Sequence, residues 1–299
     1  MLITDPIPAH LASDFKYCRA IALAREEESL MRTRFAPGHL RPFLHVMFAF
    51  LWTARDFVDL PGRDDDMKLQ LLDDWSRRLT QARSGQADHP VFRALAYTFE
   101  VALLPEHYLQ NLLIAFRMDI TNKRYETMDD LVEYCRFGAN PLGRMVLHLS
   151  MEISWVAGMP DSDKARHSDA LWTALQLTRF WQNLGLHSRS GQPSYLPKEE
   201  MDRFGVTEEM VAQRRFTPML GSLMVYLVEE TRLLLGNGVP LLAQVKWPLR
   251  LELATALERC MVTLDRIEEN GGNTLRSRLV LSQRERLGCL WRAFGRASG

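Results

Sequence analysis

Apolar residues recur at intervals of three and four positions along almost the whole chain, and strict alternation of apolar and polar residues is rare. This spacing matches the 3.6-residue turn of an α-helix rather than the two-residue period of a strand. Prolines punctuate the periodic stretches, as expected where helices begin or end. The pattern therefore predicts an all-α protein. The predicted helices span residues 10–33, 39–59, 66–84, 90–101, 105–121, 127–137, 141–157, 163–185, 207–213, 217–236, 239–269 and 281–296.

Three segments of this pattern are apolar on more than one helical face. They comprise residues 43–52, 144–159 and 171–181. Helices that are apolar all round belong in the centre of a bundle, where every face meets another helix. The stretch 186–197 is polar and contains glycine and prolines, so it predicts a loop over one end of the bundle. The simplest architecture is one helical domain over residues 1–299.

Composition narrows the classes of function. Lys+Arg and Asp+Glu both number 37, so the formal net charge is zero and no overall field draws the chain to nucleic acid or to an anionic membrane. The four cysteines are far apart, which argues against a zinc site and a disulfide framework. No apolar run approaches the roughly 20 residues that span a bilayer, and the N-terminus lacks a signal-peptide pattern. We expect a cytoplasmic protein without a transmembrane segment, and peripheral membrane contact stays open.

Three ordered blocks carry a family resemblance. The block RPFLHVMFAFLWTARDFVDLPG (41–62) resembles the first signature of squalene/phytoene synthases, R-P-x-x-x-x-x-Y-A-F-A-R-x-A-D-D-x-x-D-E. The block LIAFRMDITNKRYETMDDLVEYCRFGANPLGRMVL (113–147) is similar to the central region of bacterial hydroxysqualene synthases. The block LQLTRFWQNLGLHSRSGQPSYLPKEEMDRFGV (175–206) resembles the second signature, Q-L-x-N-F-W-Q-D-x-x-x-D-x-x-x-G-R-x-Y-L-P. By this resemblance, which covers nearly the whole chain, the protein is identified as a member of the squalene/phytoene synthase family.

The resemblance implies an isoprenoid-synthase-type helical bundle around a central apolar cavity. In active members, two D-x-x-x-D motifs on facing helices hold Mg²⁺ ions, which bind the diphosphate of a prenyl substrate. Carboxylates four residues apart project from one helix face, and Mg²⁺ prefers such hard oxygen ligands. The metal stabilises the leaving diphosphate as the carbocation forms. The implied activity is head-to-head prenyl transfer on farnesyl diphosphate or presqualene diphosphate.

The first aspartate motif departs from the family pattern. Aligned on its flanking block, it spans residues 55–59, and Arg55 replaces its first aspartate. Asp59 occupies the second ligand position, and Asp56 matches a position that is commonly acidic. The arginine found three residues before the motif is Trp52 here. The resemblance therefore places a cation where the family has a metal ligand.

The second motif departs further. Its two aspartates align with Asn183 and His187, and the upstream asparagine aligns with Arg179. The arginine of the G-R-x-Y-L-P loop is Gln192, with one extra residue before Tyr195. Of the four family ligand positions for metal, only Asp59 keeps its aspartate. We therefore expect no cofactor, with Mg²⁺ implied only if the family activity is retained.

These replacements change the electrostatics of the expected site. Unit charges about 4 Å apart interact by roughly 4 kcal/mol at an effective dielectric constant near 20, so Arg55 would repel Mg²⁺. Near the N-terminus, family serines that approach the diphosphate align with Glu26 and Glu28, which would repel it. The changes also compensate one another. We hypothesise that Glu26 or Glu28 pairs with Arg55 and closes the cavity.

Taken without the family, several of these residues have ordinary interpretations. Asp56 and Asp59 at one helix end are typical of solvated charges, and His187, in a polar stretch, is expected to be exposed. His45 and His148 sit inside apolar runs, which favours hydrogen-bonded core histidines over ligands or bases.

Gln176 matches the family's glutamine, and it is expected either to line the cavity or to pack as a polar group in the core. Asp119 precedes Lys123 by four residues, which predicts an ion pair along one helix. Most of the aromatic residues in the three blocks are expected in the core, and some of them are expected to line a prenyl tunnel.

Two functions remain open at this point. The first is a degenerate family member that acts by binding, as a partner, regulator or assembly factor, with a prenyl lipid, a prenyl diphosphate or a protein such as an intact paralogue as its partner. It is favoured because the replacements concentrate where the chemistry needs acids. The alternative is an active prenyltransferase, either Mg²⁺-dependent or a metal-independent variant that binds diphosphate through Arg55, Arg179 and His187.

Overall fold

The computed structural model describes residues 7–26, 29, 31, 33, 36–121, 124–150, 155–156, 159–160, 162–190, 195–276 and 279–298. Within these ranges the chain is built from helices. It also has one short antiparallel pair of strands between Leu149 and Ser162, β1 (Trp155–Val156) and β2 (Met159–Pro160). The predicted all-α fold is confirmed. The helices are α1 Ala12–Ala24, α2 Arg41–Val58, α3 Asp65–Arg83, α4 Pro90–Ala102, α5 His107–Thr121, α6 Met128–Gly138, α7 Asn140–Leu149, α8 Ser162–Gln182, α9 Leu184–Ser190, α10 Lys198–Arg203, α11 Glu208–Ala212, α12 Pro218–Gly238, α13 Leu241–Gln244, α14 Leu249–Glu269 and α15 Gln283–Ser298.

The observed helix boundaries differ at three places from those predicted from the apolar spacing. The predicted helix 10–33 ends at Ala24, although Met31 beyond it is still buried, so apolar spacing continues where the helix does not. The predicted helix 141–157 ends at Leu149, and β1 follows. The predicted helix 239–269 is two helices, α13 and α14, because Pro248 cannot continue a running helix.

The predicted loop 186–197 is also partly wrong. Helix α9 extends to Ser190, and the short helix α10 directly after the stretch was missed. Residues 191–194, which include Gln192, lie outside the described part. Short helices of this kind are not stable by themselves and depend on the packing around them, which periodicity does not register.

The centre of the bundle is formed by the helices that are apolar on several faces. In α2, every residue from Phe43 to Trp52 is buried, and in α8 every residue from 171 to 178 is buried. Helix α12 packs along α8, where the Trp181 indole N–H donates to Thr231 Oγ1 at 2.8 Å. The predicted central position of segments 43–52 and 171–181 is therefore confirmed.

Of the two histidines expected in the core, His45 is buried and His148 is half-buried. His45 is 6 % exposed, and its Nε2 lies 3.1 Å from Thr33 Oγ1. Burial, with the nearby cations Arg19 and Arg41, lowers the pKa of His45 to about 4. His148 Nε2 lies 2.9 Å from the carbonyl oxygen of Ala102. Both imidazoles join neighbouring segments of the core.

No helix in the described ranges combines the length and the apolar character needed to cross a bilayer. The longest of them, α8, α12 and α14, have 21 residues each. Each carries several charged side chains along its length.

Candidate functional site

A small cavity lies between the C-terminal halves of α2 and α8, beside α5 and α6. Its volume is about 60 Å³, which is room for about four to six water molecules. Five of the eight residues predicted for the site line it. They are Arg55, Gln176, Arg179, His187 and Tyr195. The other three, which are Asp56, Asp59 and Asn183, do not line it.

Arg55 lies in the last turn of α2 and is engaged by two acids. Its Nε donates to Asp59 Oδ2 at 2.9 Å, and its Nη1 donates to Asp119 Oδ2 at 2.8 Å. Burial alone would lower the pKa of Arg55, but the carboxylates of Asp119 and Asp59 outweigh it and raise that pKa. Arg55 is therefore a permanent cation held in a fixed orientation.

Asp119 on α5 is the residue that sequence reasoning missed. It is 4 % exposed and also accepts a hydrogen bond from the Tyr195 hydroxyl at 2.7 Å. Burial raises the pKa of its carboxyl, while the Arg55 cation and the hydroxyls of Tyr195 and Tyr134 oppose that rise. The predicted partner Lys123 lies outside the described residues, and the two carboxylate oxygens of Asp119 instead bind Arg55 and Tyr195. The only available signal was its place in the second block, directly after Arg117-Met118.

The hypothesis that Glu26 pairs with Arg55 is wrong. Among the described residues, the acids on the guanidinium are Asp59 and Asp119, and Glu26 instead borders a separate cavity near the start of α2. Glu28 lies outside the described residues. The expected internal ion pair exists, but its acid comes from α5, across 64 positions of sequence.

An aromatic wall holds Tyr195 in place. The Tyr195 ring stacks on Phe180 of α8 with 3.7 Å between ring centroids and 7° between planes. Three residues after Tyr195, the backbone N–H of Lys198 donates to the carbonyl of Tyr125 at 3.0 Å. This hydrogen bond holds the chain against the segment before α6. These contacts orient the hydroxyl towards Asp119. The aromatic residues of the sequence blocks that line the cavity include Phe48, Trp52 and Phe180.

His187 is buried, contrary to the prediction that it would be exposed. It lies on α9, is 8 % exposed, and meets the Tyr195 ring edge-on at 5.0 Å. Helix α9 approaches the backbone at Leu275 so closely that a Cβ on Gly185 would lie 2.2 Å from that carbonyl oxygen, so glycine is required. Burial, reinforced by the Arg55 and Arg179 cations, lowers the pKa of His187 to about 3. The imidazole is therefore neutral at pH 7.

Two guanidinium groups lie close to the ring of Trp52, which is buried and lines the cavity. The guanidinium carbon of Arg25 lies 5.5 Å from the ring centroid, and that of Arg179 lies 5.8 Å from it. Such contacts contribute about 0.5–1 kcal/mol each at exposed sites. Arg25 also forms an ion pair with Asp56, whose side chain is 50 % exposed. Asp56 is thus exposed, as expected of a solvated charge, and it is paired as well.

Asn183 follows the last turn of α8 and is 6 % exposed. Its backbone N–H continues the helical bonding to the carbonyl of Arg179 at 3.1 Å. Its side-chain oxygen accepts no hydrogen bond within the described part of the chain. Asn183 is therefore a buried polar group behind the cavity wall rather than a lining residue.

The side chains that the resemblance aligns with the family's metal ligands do not fit a magnesium ion. Of the four positions, three present guanidinium, amide and neutral imidazole, and the carboxylate of Asp59 is bound to Arg55. A search of the described ranges finds no group of three or more His, Cys, Asp or Glu side chains arranged to hold a metal. A cation fixed at Arg55 opposes a second cation beside it.

Comparisons with known proteins identify the family. The family model described as squalene/phytoene synthase matches residues 24–285. The chain belongs to the squalene/phytoene synthase family. It is 35 % identical over 213 residues to a hydroxysqualene synthase of Rhodopseudomonas palustris, covering 70 % of this chain and 68 % of that protein. It is 30 % identical over 247 residues to a hydroxysqualene synthase of Sinorhizobium fredii, covering 80 % and 78 %.

Solved structures extend the similarity to the fold of this squalene/phytoene synthase family member. The crystal structure of squalene synthase HpnC from Alicyclobacillus acidocaldarius superposes with a TM-score of 0.80 at 30 % identity, covering 89 % of this chain and 97 % of that one. A dehydrosqualene synthase solved with a ligand gives the same TM-score at 23 % identity, over 96 % and 97 %. The likeness at 23 % identity shows the fold alone.

Proposed function

We propose that this chain is a member of the squalene/phytoene synthase family that acts by binding rather than by Mg²⁺-dependent ionisation of a prenyl diphosphate. The observation that carries the proposal is the Arg55–Asp119–Tyr195 network. It stands at the place where the family resemblance puts a metal and diphosphate site. We propose that it needs no cofactor.

The electrostatics of the network support this proposal. Arg55 holds the surviving aspartate, Asp59, so that carboxylate would have to leave its cation before it ligated a metal. Asp119 is buried, and removing one partner of a buried ion pair costs about 3–5 kcal/mol. A metal entering here would have to overcome that cost. The network therefore stabilises a closed site.

The metal-independent alternative depends on Arg55, Arg179 and His187, and two of these three side chains are poorly suited to the task. Arg55 is already bound to two carboxylates, and His187 is neutral at pH 7 because its pKa is about 3. Arg179 is the third, and its guanidinium lies over the Trp52 ring in the cavity lining. One guanidinium is a weak substitute for a metal cluster on a diphosphate.

The size of the cavity favours a protein partner over a prenyl ligand. Sites for ligands of drug size typically measure about 300–1,000 Å³, and this one measures about 60 Å³. A prenyl chain would enter only if the stacked rings of Phe180 and Tyr195 moved apart. We therefore place a protein partner, such as an intact paralogue, ahead of a prenyl lipid, and we propose a cytoplasmic location.

An active prenyltransferase is the second candidate, and it is favoured by the 35 % identity to a hydroxysqualene synthase. The deciding experiment incubates purified protein with farnesyl diphosphate or presqualene diphosphate, with Mg²⁺ and with EDTA. The hydroxysqualene synthase of Rhodopseudomonas palustris serves as the positive control. Our proposal expects no metal-dependent product. Metal-dependent turnover in the usual enzyme range of about 1–10³ s⁻¹ would show an active synthase instead.

A partner assay tests the binding role directly. An intact synthase is purified with and without this chain, and complex formation and turnover are measured together. We expect a stable complex and a change in the turnover of the synthase. A chain that neither binds an intact paralogue nor alters its rate would contradict the partner role.

A further inference from the structure

The C-terminal helix α15 carries an apolar stripe on its outer side. Leu287, Trp291 and Phe294 are 68 %, 81 % and 53 % exposed. Their spacing of four and three residues puts them on one helix face, about 10 Å long. A different face of α15, with Cys289 and Ala293, is buried against the bundle. The stripe is therefore separate from the packing face.

A second tryptophan extends this stripe. Trp247, in the turn before α14, is 51 % exposed, and its ring meets Phe294 edge-on with 5.7 Å between centroids. Single exposed apolar residues are ordinary, but a contiguous patch with two indoles marks a binding surface. We call these four residues, Trp247, Leu287, Trp291 and Phe294, the α15 patch.

A buried carboxylate fixes the orientation of the α15 patch. Glu258 of α14 is 2 % exposed and is bound by two arginines of α15. Arg292 Nε donates to Glu258 Oε2 at 2.7 Å, and Arg296 Nε donates to Oε1. If α15 rolled to bury Trp291, it would strip that carboxylate of its partners, which is strongly unfavourable. The outward position of Trp291 is thus built into the fold.

The charge around the α15 patch indicates its occupant. Residues 274–299 contain six arginines and one glutamate, and with Glu258, which binds two of these arginines, the net charge is +4 in a chain whose overall charge is zero. Arg284 is exposed and lies seven residues before Trp291, hence on the same face, and Lys246 is exposed next to Trp247. An amphipathic helix with aromatic residues beside basic ones is typical of contact with anionic lipid.

We propose that the α15 patch docks the protein onto an anionic membrane surface. Trp247, Trp291 and Phe294 enter the boundary between headgroups and acyl chains, where aromatic rings are favoured. Arg284 and Lys246 contact lipid phosphates. A second copy of the chain fits less well, because a two-fold interface would place the same basic surface against itself. Docking of this kind is independent of whether the α2–α8 cavity is catalytic.

The test uses the full chain and lipid vesicles. Partition is measured by co-sedimentation with vesicles of phosphatidylcholine alone and with added phosphatidylglycerol. We expect binding to the anionic vesicles that weakens as salt rises. The double variant Trp291→Ser/Phe294→Ser should lower the partition coefficient by about tenfold or more, since apolar burial contributes most of the anchoring. Arg284→Glu should lower it as well.

The matched control is Leu103→Asn. Leu103, the residue directly after α4, is 71 % exposed, and asparagine tolerates its left-handed backbone at φ 51°. It should bind vesicles as the wild type does. Equal partition of the wild type and the double variant, or equal binding to neutral vesicles, would overturn the proposal. So would light scattering that showed a wild-type dimer, a monomeric double variant and no vesicle binding, since the patch would then be a self-association surface.

Discussion

Arg55 and Asp119 form a buried ion pair across two helices, with 2.8 Å between Nη1 and Oδ2. The side chain of Asp119 is 2 % exposed, and the side chain of Arg55 is 17 % exposed. The family resemblance places a metal-binding aspartate at position 55. In this chain the same position carries a charge of the opposite sign, and it is neutralised by an acid from α5.

Removal of this cation should destabilise the fold. Arg55→Met leaves Asp119 buried without its counter-charge, and we expect a loss of about 3–5 kcal/mol in the free energy of unfolding, measured by urea denaturation. Arg25→Met removes a surface ion pair with Asp56 and a cation–π contact with Trp52, so it should cost at most about 2 kcal/mol. Similar losses in the two variants would contradict the buried role of Arg55.

The hydroxyl of Tyr195 should stabilise the network separately from its ring. Tyr195→Phe keeps the stack on Phe180 but removes the donor to Asp119, which should cost about 1.5–3 kcal/mol as a hydrogen bond to a charged group. Tyr125→Phe is the control, because Tyr125 is equally buried and its hydroxyl has no hydrogen-bond partner in the described structure. That control should be near neutral. Calorimetric melting of both variants measures the difference.

The free energy of unfolding should decrease as the pH is lowered, because His187 takes up a proton more readily in the unfolded state. Its ordinary pKa of 6.5 is lowered to about 3 in the folded protein, so below pH 6.5 the unfolded state binds the proton more readily. The stability that depends on a neutral, buried His187 is fully present above pH 6.5 and is lost progressively as the pH falls towards 3. Between pH 6.5 and 5, it should amount to about 2 kcal/mol.

His187→Gln should flatten that part of the pH profile of unfolding free energy. His10→Gln, at an exposed histidine, serves as the control and should leave the profile unchanged. A His187→Gln profile as steep as that of the wild type would show that other groups account for the loss.

Restoring the family acids should create a magnesium site. Arg55→Asp, Asn183→Asp and His187→Asp together replace a guanidinium, an amide and an imidazole with carboxylates. We expect Mg²⁺ to bind this triple variant and to raise its stability by about 2.7 kcal/mol at a concentration one hundred times the dissociation constant. Thermal melts with and without Mg²⁺ measure the effect, and the wild type should show none. A folded triple variant without any Mg²⁺ response would count against the alignment of these positions.

The local sequence pattern was sufficient to predict the fold class, two of the buried segments and the family. The three- and four-residue spacing determined the all-α class and the burial of segments 43–52 and 171–181, because one-sided or all-round apolar helices specify their own packing. The three sequence blocks carried the family. The replacements at Arg55, Asn183 and His187 were visible in the same blocks.

Only the tertiary structure decided which groups meet. Arg55 pairs with Asp119 across 64 positions, and the pairing follows from how α2 packs on α5, which no short spacing records. His187 looked like a loop residue, but α9 is held against Leu275 through the close approach of Gly185, and this buries the imidazole. The outward face of α15 depends in the same way on Glu258 of another helix. Periodicity is set by neighbours along one helix, whereas ion pairs and burial at helix ends are set by distant segments, and for that reason the fold was predictable and the site's contacts were not.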